Sequence, residues 1–338
     1  MRVSIGTAHL LGLKEIKIDA LPTTAYLMHG EGCRRNCKFC AQAFQSGADS
    51  RMLSRVVWPE YDIDTIVQGI RKARKSGKLK RCCIQTVDDG RESELAEEIK
   101  ALVNTGLPLC VSKSVNNLGE IRELLEMGVE RVTISLDVVN PERYNEIKGG
   151  SFKKRLEFLL KAAQTFPGQI GTHIIIGLGE TEEEAVRLIA KLAQYNVEIA
   201  LFAFTPLKGT PLAHLPQPNV GVYRRIQMAR FLIMKYGYEI DDFQFSDSRL
   251  VGFNRDSEEV LNLLNSGKAF ETSGCPDCNR PYYNERPGGV IYNYPRPLKP
   301  NEIFDALKST GFWSGVEIYS AVRQGKNIHL NSTEVGSK

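Results

Sequence analysis

No apolar run in the 338 residues approaches the ~20 needed to cross a bilayer. The first residues, MRVSIGTAHLLGLKEIKIDALP, have no sustained apolar segment ahead of a small-residue cleavage site, so they do not read as a signal peptide. Excess charge of one sign is missing too: 44 Lys and Arg against 40 Asp and Glu leave a net +4. Nucleic-acid-binding faces carry a concentrated basic stripe, and so even a balance argues against one. The densest basic run, Arg71 to Arg81, reads as the solvated end of a helix leading into a strand. There is no low-complexity linker and no internal repeat beyond the βα period described below. These absences predict a cytoplasmic protein with neither a nucleic-acid nor a membrane partner.

Cysteine is present in number. In a reducing compartment eight cysteines do not form a disulfide framework, and clustered ones point to metal or catalysis. GCRRNCKFC places Cys33, Cys37 and Cys40 at C-x3-C-x2-C, one thiolate short of a complete four-thiolate site. A structural zinc would need a fourth ligand, for which His29 is a candidate. An iron–sulfur cube held by three thiolates would keep its fourth iron open. Unrelated thiols are the third reading.

Strand-like apolar runs alternate with amphipathic helical stretches for most of the length. The runs are Thr23–His29, Arg81–Val87, Pro108–Lys113, Arg131–Asp137, Ile170–Gly177, Ile199–Phe204, Glu239–Ser246 and, least regular, Lys268–Ser273. Helical segments such as DIDTIVQGIRKARKSG and TEEEAVRLIAKLAQY repeat apolar residues at three- and four-residue steps. Continuous apolar strands separated by helices predict an α/β fold with a parallel sheet covered on its faces. Eight units predict a complete (β/α)8 TIM-type barrel; fewer would leave it open. The expected layout is an N-terminal extension (1–22), the barrel (23–273), a C-terminal segment (274–325) and a flexible tail (326–338). Gly274–Leu298, rich in Pro, Gly, Asn and Tyr, reads as an irregular extension over the barrel, followed by a helix at Asn301–Ser309.

The cysteine spacing, with Phe39 before the last thiol and the loop just after the first strand, resembles the radical S-adenosylmethionine (radical SAM) superfamily. The resemblance implies a 4Fe-4S cluster on Cys33, Cys37 and Cys40 whose open iron binds S-adenosyl-L-methionine (SAM). One-electron cleavage would then yield a 5′-deoxyadenosyl radical that abstracts hydrogen. Over most of the chain the similarity is to the biotin synthase branch, through GLGET (Gly177–Thr181), SLDVVNPERY from Ser135, and LKGTPL (Leu207–Leu212). It implies that Ser135, Asp137, Arg155, Gly177, Gly179 and Glu180 contact SAM, Arg155 pairing with its carboxylate and Asp137 meeting ribose or substrate. The glycine turn of GLGET, opening a helix, is expected to offer free backbone N–H groups.

Biotin synthase also holds a sulfur-donating 2Fe-2S cluster on three cysteines and an arginine. Here Cys83 and Cys110 match two of those cysteines, Gly171 stands for the third, and Gln244 is the best match to the arginine. That site cannot be assembled. Cys275 and Cys278 appear instead in SGCPDCNRPYY. Adjacent strand residues face opposite sides, so only one of Cys82 and Cys83 faces inward; the resemblance selects Cys83. With Cys110, Cys275 and Cys278 it completes a four-thiolate set for a second, auxiliary 4Fe-4S cluster; a zinc site or unligated thiols are the alternatives. The pattern resembles split-type lipoyl synthases. It implies lipoate biosynthesis by a sulfurtransferase, with C6 or C8 of an octanoyl group sulfurated on a lipoyl-carrier domain. A second radical SAM subunit and a low-potential donor such as ferredoxin or flavodoxin are the implied partners. Arg280 and Tyr282–Tyr283 would shape the substrate channel. Another biotin synthase-like reaction (sulfurtransferase, lyase or mutase), a SAM-binding scaffold subunit and a non-catalytic iron–sulfur protein are the competing readings.

Overall fold

The computed structural model describes residues 1–285 and 288–332. Its main sheet has seven strands, one of which, Arg2–Val3, runs antiparallel to its neighbour. The other six are parallel and pair in chain order: β1 (Thr24–His29), β2 (Arg81–Thr86), β3 (Leu109–Ser112), β4 (Arg131–Thr133), β5 (Ile170–Ile176) and β6 (Glu198–Ala203). The helices between them are α1 (Ile63–Lys75), α2 (Glu92–Val103), α3 (Leu118–Glu126), α4 (Pro141–Lys148), α5 (Phe152–Thr165) and α6 (Glu182–Ala193); α7 (Val220–Tyr236) follows β6. Polar side chains start most of them: Asp62, Asn117, Asn140, Ser151, Thr181 and Asn219 each accept from first-turn backbone N–H groups.

Alternation along the strands separates two layers. Leu27, Cys82, Ile84, Val111 and Val132 pack outward into the core beneath the helices. Tyr26 and Met28 point inward and meet Trp58, Val87 and Tyr283, with Cys83 against them. Among the described residues no helix is long and apolar enough to cross a membrane.

The α/β architecture is as the sequence predicts, but the eight-strand count is not. Of Glu239–Ser246 only Phe243–Ser246 is extended, and it pairs with Arg249–Phe253 in a separate antiparallel hairpin. Its residues are not continuously buried, which suits a hairpin with one wet face and not an interior parallel strand. Lys268–Phe270 is a 3-10 turn. The sheet therefore stays open between β1 and β6.

The C-terminal segment fills that gap. The Asp277 carbonyl accepts from the Thr23 and Thr24 hydroxyls, and Lys80 pairs with the Asp277 carboxylate at 3.0 Å, all at the N-terminal ends of β1 and β2. Leu201 N of β6 donates to Ser273 Oγ at 2.8 Å, while Tyr26 Oη of β1 accepts from Arg280 N at 2.7 Å. Asn284 reaches the other end, donating to Ala203 O at 2.8 Å. Residues 273–284 thus run the depth of the sheet along its open side. Gly274 is where this needs glycine: at φ +118° its Cβ would lie 3.0 Å from that of Ala200.

The terminal boundaries also shift. Residues 1–22 are integral, since Arg2–Val3 extends the sheet and Ile5–Leu10 is a helix. Of the expected tail, 326–332 belong to the helix Gly315–Ser332, and 333–338 lie outside the described residues.

One buried ion pair joins the last units. Arg225 of α7 donates twice to Glu182 of α6, both side chains being 6% exposed; Arg225 also donates to Thr310 O and Glu182 accepts from Leu250 N. Arg225→Ala leaves Glu182 charged, buried and short of a partner, and is expected to cost about 3–5 kcal/mol in urea unfolding. The double variant Glu182→Gln, Arg225→Met should recover much of that loss.

Candidate active site

Cys33, Cys37 and Cys40 lie in the loop after β1, at the C-terminal end of the sheet. Gln42 organises this loop. Its backbone N–H donates to Cys40 Sγ at 3.4 Å and its carbonyl accepts from Cys33 N at 3.3 Å. Its amide donates to Ser50 O and Met52 O, both at 2.7 Å, and accepts from Arg2 Nη1 at 3.1 Å. The edge strand at the N-terminus thereby grips the cysteine loop.

All three thiols line a cavity of about 290 Å³ enclosed by the sheet. Burial pushes Cys40 up to about 12 and raises Cys37 as well. Such thiols keep their protons until a metal takes them. His29 does not join them: its Nδ1 contacts Glu98 Oε2 at 2.6 Å, and it does not line this cavity. The zinc reading loses its candidate fourth ligand.

A second group of thiols lies toward the opposite end. Tyr26, Cys83 and Cys110 are in register across β1, β2 and β3. Cys83 faces the cavity, whereas Cys82 is fully buried in the helix-facing core. Cys275 and Cys278 line the same cavity, and Cys110 Sγ donates to Cys275 Sγ at 3.5 Å. That bond pulls Cys275 down to about 6 and raises Cys110. Cys278 Sγ accepts from Arg280 Nη1 at 3.3 Å and lies 3.4 Å from Tyr26 Oη; Arg81 Nη1 donates to Cys110 Sγ at 3.1 Å. Among the described residues no three His, Cys, Asp or Glu groups are gathered tightly enough for a single ion. A four-iron cluster takes each thiolate on a different iron, and an all-thiol set is the donor chemistry it requires. Both cysteine sets therefore fit such clusters by composition.

Phe39, Ser135, Asp137 and Arg155 line the same cavity. Arg155 donates to Val115 O at 2.6 Å, burial lowers its pKa, and among the described residues no carboxylate pairs with it. Gly177, Gly179 and Glu180 do not line the cavity. The Glu180 carboxylate itself accepts from Gly177 N at 2.6 Å and Leu178 N at 3.0 Å. The amides expected to be free for a cofactor are thus occupied, and GLGET is a self-capped turn. Gln244 sits on the separate hairpin bonded to Asn254, away from the thiols. Gly171 does face the cavity, level with Thr133 and Glu198. Arg280 and Tyr283 line the cavity, but Tyr282 turns outward to Asp19.

Tyr26, Lys148, His173 and Glu198 are cavity residues that sequence reasoning missed. Strand parity counted from Gly171 leads to His173; no sequence signal points to Lys148. His173 is half-buried against the cavity, with Nδ1 3.0 Å from Ser135 Oγ, and its desolvation there pulls its pKa from 6.5 to about 4. Unfolded chains bind the extra proton first, so stability falls as pH drops from 6.5 to 4, by about 3 kcal/mol for this group. Urea midpoints across that window should fall less in His173→Phe than in the parent protein.

The chain is 30% identical over 191 residues to a biotin synthase from Salinispora arenicola, covering 55% of each chain. It is 28% identical over 214 residues to one from Bordetella avium, covering 59% of this chain and 62% of that one. The chain thus spans little more than half the length of these curated relatives. Among solved structures it resembles methylornithine synthase (TM-score 0.51, 13% identity, 94% of this chain and 88% of that one). The FeFe-hydrogenase maturase HydG from Carboxydothermus hydrogenoformans gives 0.52 at 17% identity, over 91% and 71% of the chains. These two likenesses speak to the fold. Residues 27–192 match the model of the radical SAM superfamily, and this stretch carries the end of β1, the three-cysteine loop and β2 to β5.

Proposed function

We propose that the chain is a radical SAM enzyme that inserts sulfur at unactivated C–H bonds, most specifically a split-type lipoyl synthase subunit. The observation that carries this reading is one cavity lined by two groups of thiols, three on the loop after β1 and then Cys83, Cys275 and Cys278, with Cys110 buried behind them and bonded to Cys275. Cys33, Cys37 and Cys40 would hold the SAM-binding 4Fe-4S cluster with one iron left open. Cys83, Cys110, Cys275 and Cys278 would hold a second 4Fe-4S cluster, which is consumed as the sulfur-donating substrate. When bound, the first cluster and SAM supply one-electron cleavage and hydrogen-atom abstraction.

The protein's own residues place and shield the reactants. Arg155, a half-buried cation without a carboxylate partner among the described residues, suits the carboxylate of SAM. Asp137 presents an acceptor for ribose or substrate. Met28, Phe39, Val87, Ile175, Phe202 and Phe204 give the cavity apolar walls that would take an octanoyl chain and exclude water. The departure from a biotin-synthase-type cluster, Gly171 in place of a thiol, accompanies the gain of Cys275 and Cys278 on a segment closing the sheet. An octanoylated carrier domain, a second radical SAM subunit, a ferredoxin or flavodoxin donor and a cytoplasmic location complete the proposal.

Anaerobically reconstituted protein should contain about eight irons and eight sulfides per chain. Cys33→Ser with Cys37→Ser and Cys40→Ser should halve that content and abolish SAM cleavage. Cys275→Ser with Cys278→Ser should halve it, keep SAM cleavage and lose sulfur transfer. About four irons in the parent protein would overturn the sulfur-donor model; full turnover of the second variant would favour a lyase or mutase.

A further inference from the structure

Lys148 ends α4 inside the cavity, its side chain 9% exposed. Its ammonium group has three acceptors for its three protons. They are the Asp137 carboxylate, Ser135 O at 2.9 Å and Leu136 O at 3.3 Å. This is the stretch where β4 has ended and the chain turns. Asp137 takes φ +64°, a left-handed conformation uncommon for residues with a side chain, though aspartate enters it more readily than most. The backbone around it is pinned on one side, Asp137 N donating to His173 O and Ile175 N to Asp137 O, each at 2.8 Å. Lys148 pins it on the other and fixes the carboxylate as well.

The same turn is tied to the three-cysteine loop. Lys38, between Cys37 and Cys40, donates its backbone N–H to Ile147 O at 2.9 Å, one residue before Lys148. Lys38 Nζ also pairs with Glu146 at 3.5 Å. A rigid route therefore runs from the loop through the end of α4 and the Lys148 ammonium to the Asp137 carboxylate. No other lysine or arginine forms an ion pair with Asp137 among the described residues.

We propose that Lys148 is a positioning residue for SAM: it holds the Asp137 carboxylate at a set place relative to the cysteine loop, where that carboxylate meets the polar hydroxyls of the bound molecule. This rests on the SAM-binding part of the functional reading and not on sulfur insertion. Its role is exerted through Asp137, so removing either partner should remove the same interaction.

The test uses iron-loaded protein under anaerobic conditions, with equilibrium dialysis of SAM and the electron paramagnetic resonance signal of the reduced cluster with and without SAM. In the parent protein SAM should bind and perturb that signal. K148M should bind SAM about tenfold or more weakly, with a diminished perturbation but unchanged iron content. K148R should regain part of the affinity, and K148M combined with D137N should be no weaker than D137N alone. If K148M fails to load iron, K148Q takes its place, with the same loss expected. SAM binding and perturbation equal to the parent's in the lysine variant, or losses that add in the double variant, would overturn the proposal. Failure of the parent protein itself to bind SAM would instead overturn the functional reading on which it rests.

Discussion

The sheet has an open side, and much else in the molecule follows from the need to cover it. Six parallel strands leave β1 and β6 unpaired with one another, exposing an interior that must be closed by some other part of the chain. Residues 273–284 do this with side-chain and carbonyl contacts, not a strand ladder, bonding to Thr23, Thr24 and Tyr26 on one side and to Leu201 and Ala203 on the other. An irregular segment can do what an added strand cannot: it can turn side chains inward wherever they are wanted. Asp277, Arg280 and Tyr282 all have positive φ there, the backbone irregularity by which Cys275, Cys278 and Arg280 come to face the cavity while Tyr282 points out.

The same closure determines the electrostatics of the lower thiol set. Arg280 is half-buried, stacks 4.3 Å from the Phe202 ring and donates to Cys278 Sγ and Ser273 O. Arg81 donates to Cys110 Sγ while paired to Glu130. Two guanidinium groups thus lie against two thiols, one on β3 and one on the C-terminal segment. An anionic thiolate–iron unit placed there would meet positive charge already held in position. The loop after β1 is built differently: Cys40 accepts a backbone N–H from Gln42, and the Lys148 ammonium is spent on Asp137. One end compensates charge with arginine; the other leaves room for a ligand.

How much of this was legible in the sequence depends on the range of the interaction involved. The six parallel strands and their helices read out well because periodicity of two and of 3.6 is local. Capping residues such as Asp62 and Asn140 mark the starts of helices in the same local way. Phe243–Ser246 misled because four residues of FQFS look alike whether they enter a parallel sheet or a hairpin. GLGET misled for the opposite reason. Its glycine turn is real, but Glu180 reaches back over its own turn to take the amides, and that competition is invisible until side-chain directions are known. Lys148 was unreadable because its partner Asp137 lies eleven residues upstream across a turn, and nothing in the sequence ties the two together.

Cys82 and Cys83 show the constraint at its simplest. They are neighbours of identical chemistry, yet one is sealed under helices and pushed up to about 12 by burial, and the other faces Cys275 and Cys278. The pleat alone makes the difference. The register carries that parity onward, from Tyr26 to Cys83 to Cys110 and, at the next pairing, to Arg131. A one-residue slip of β2 would exchange the two cysteines and bring Ile84 to the cavity in place of Gln85. The lower thiol set is therefore no stronger than the strand pairing above it, and the outward packing of Leu27, Ile84 and Val111 is what makes that pairing unambiguous. The apolar side of the sheet thus selects which sulfur reaches the interior.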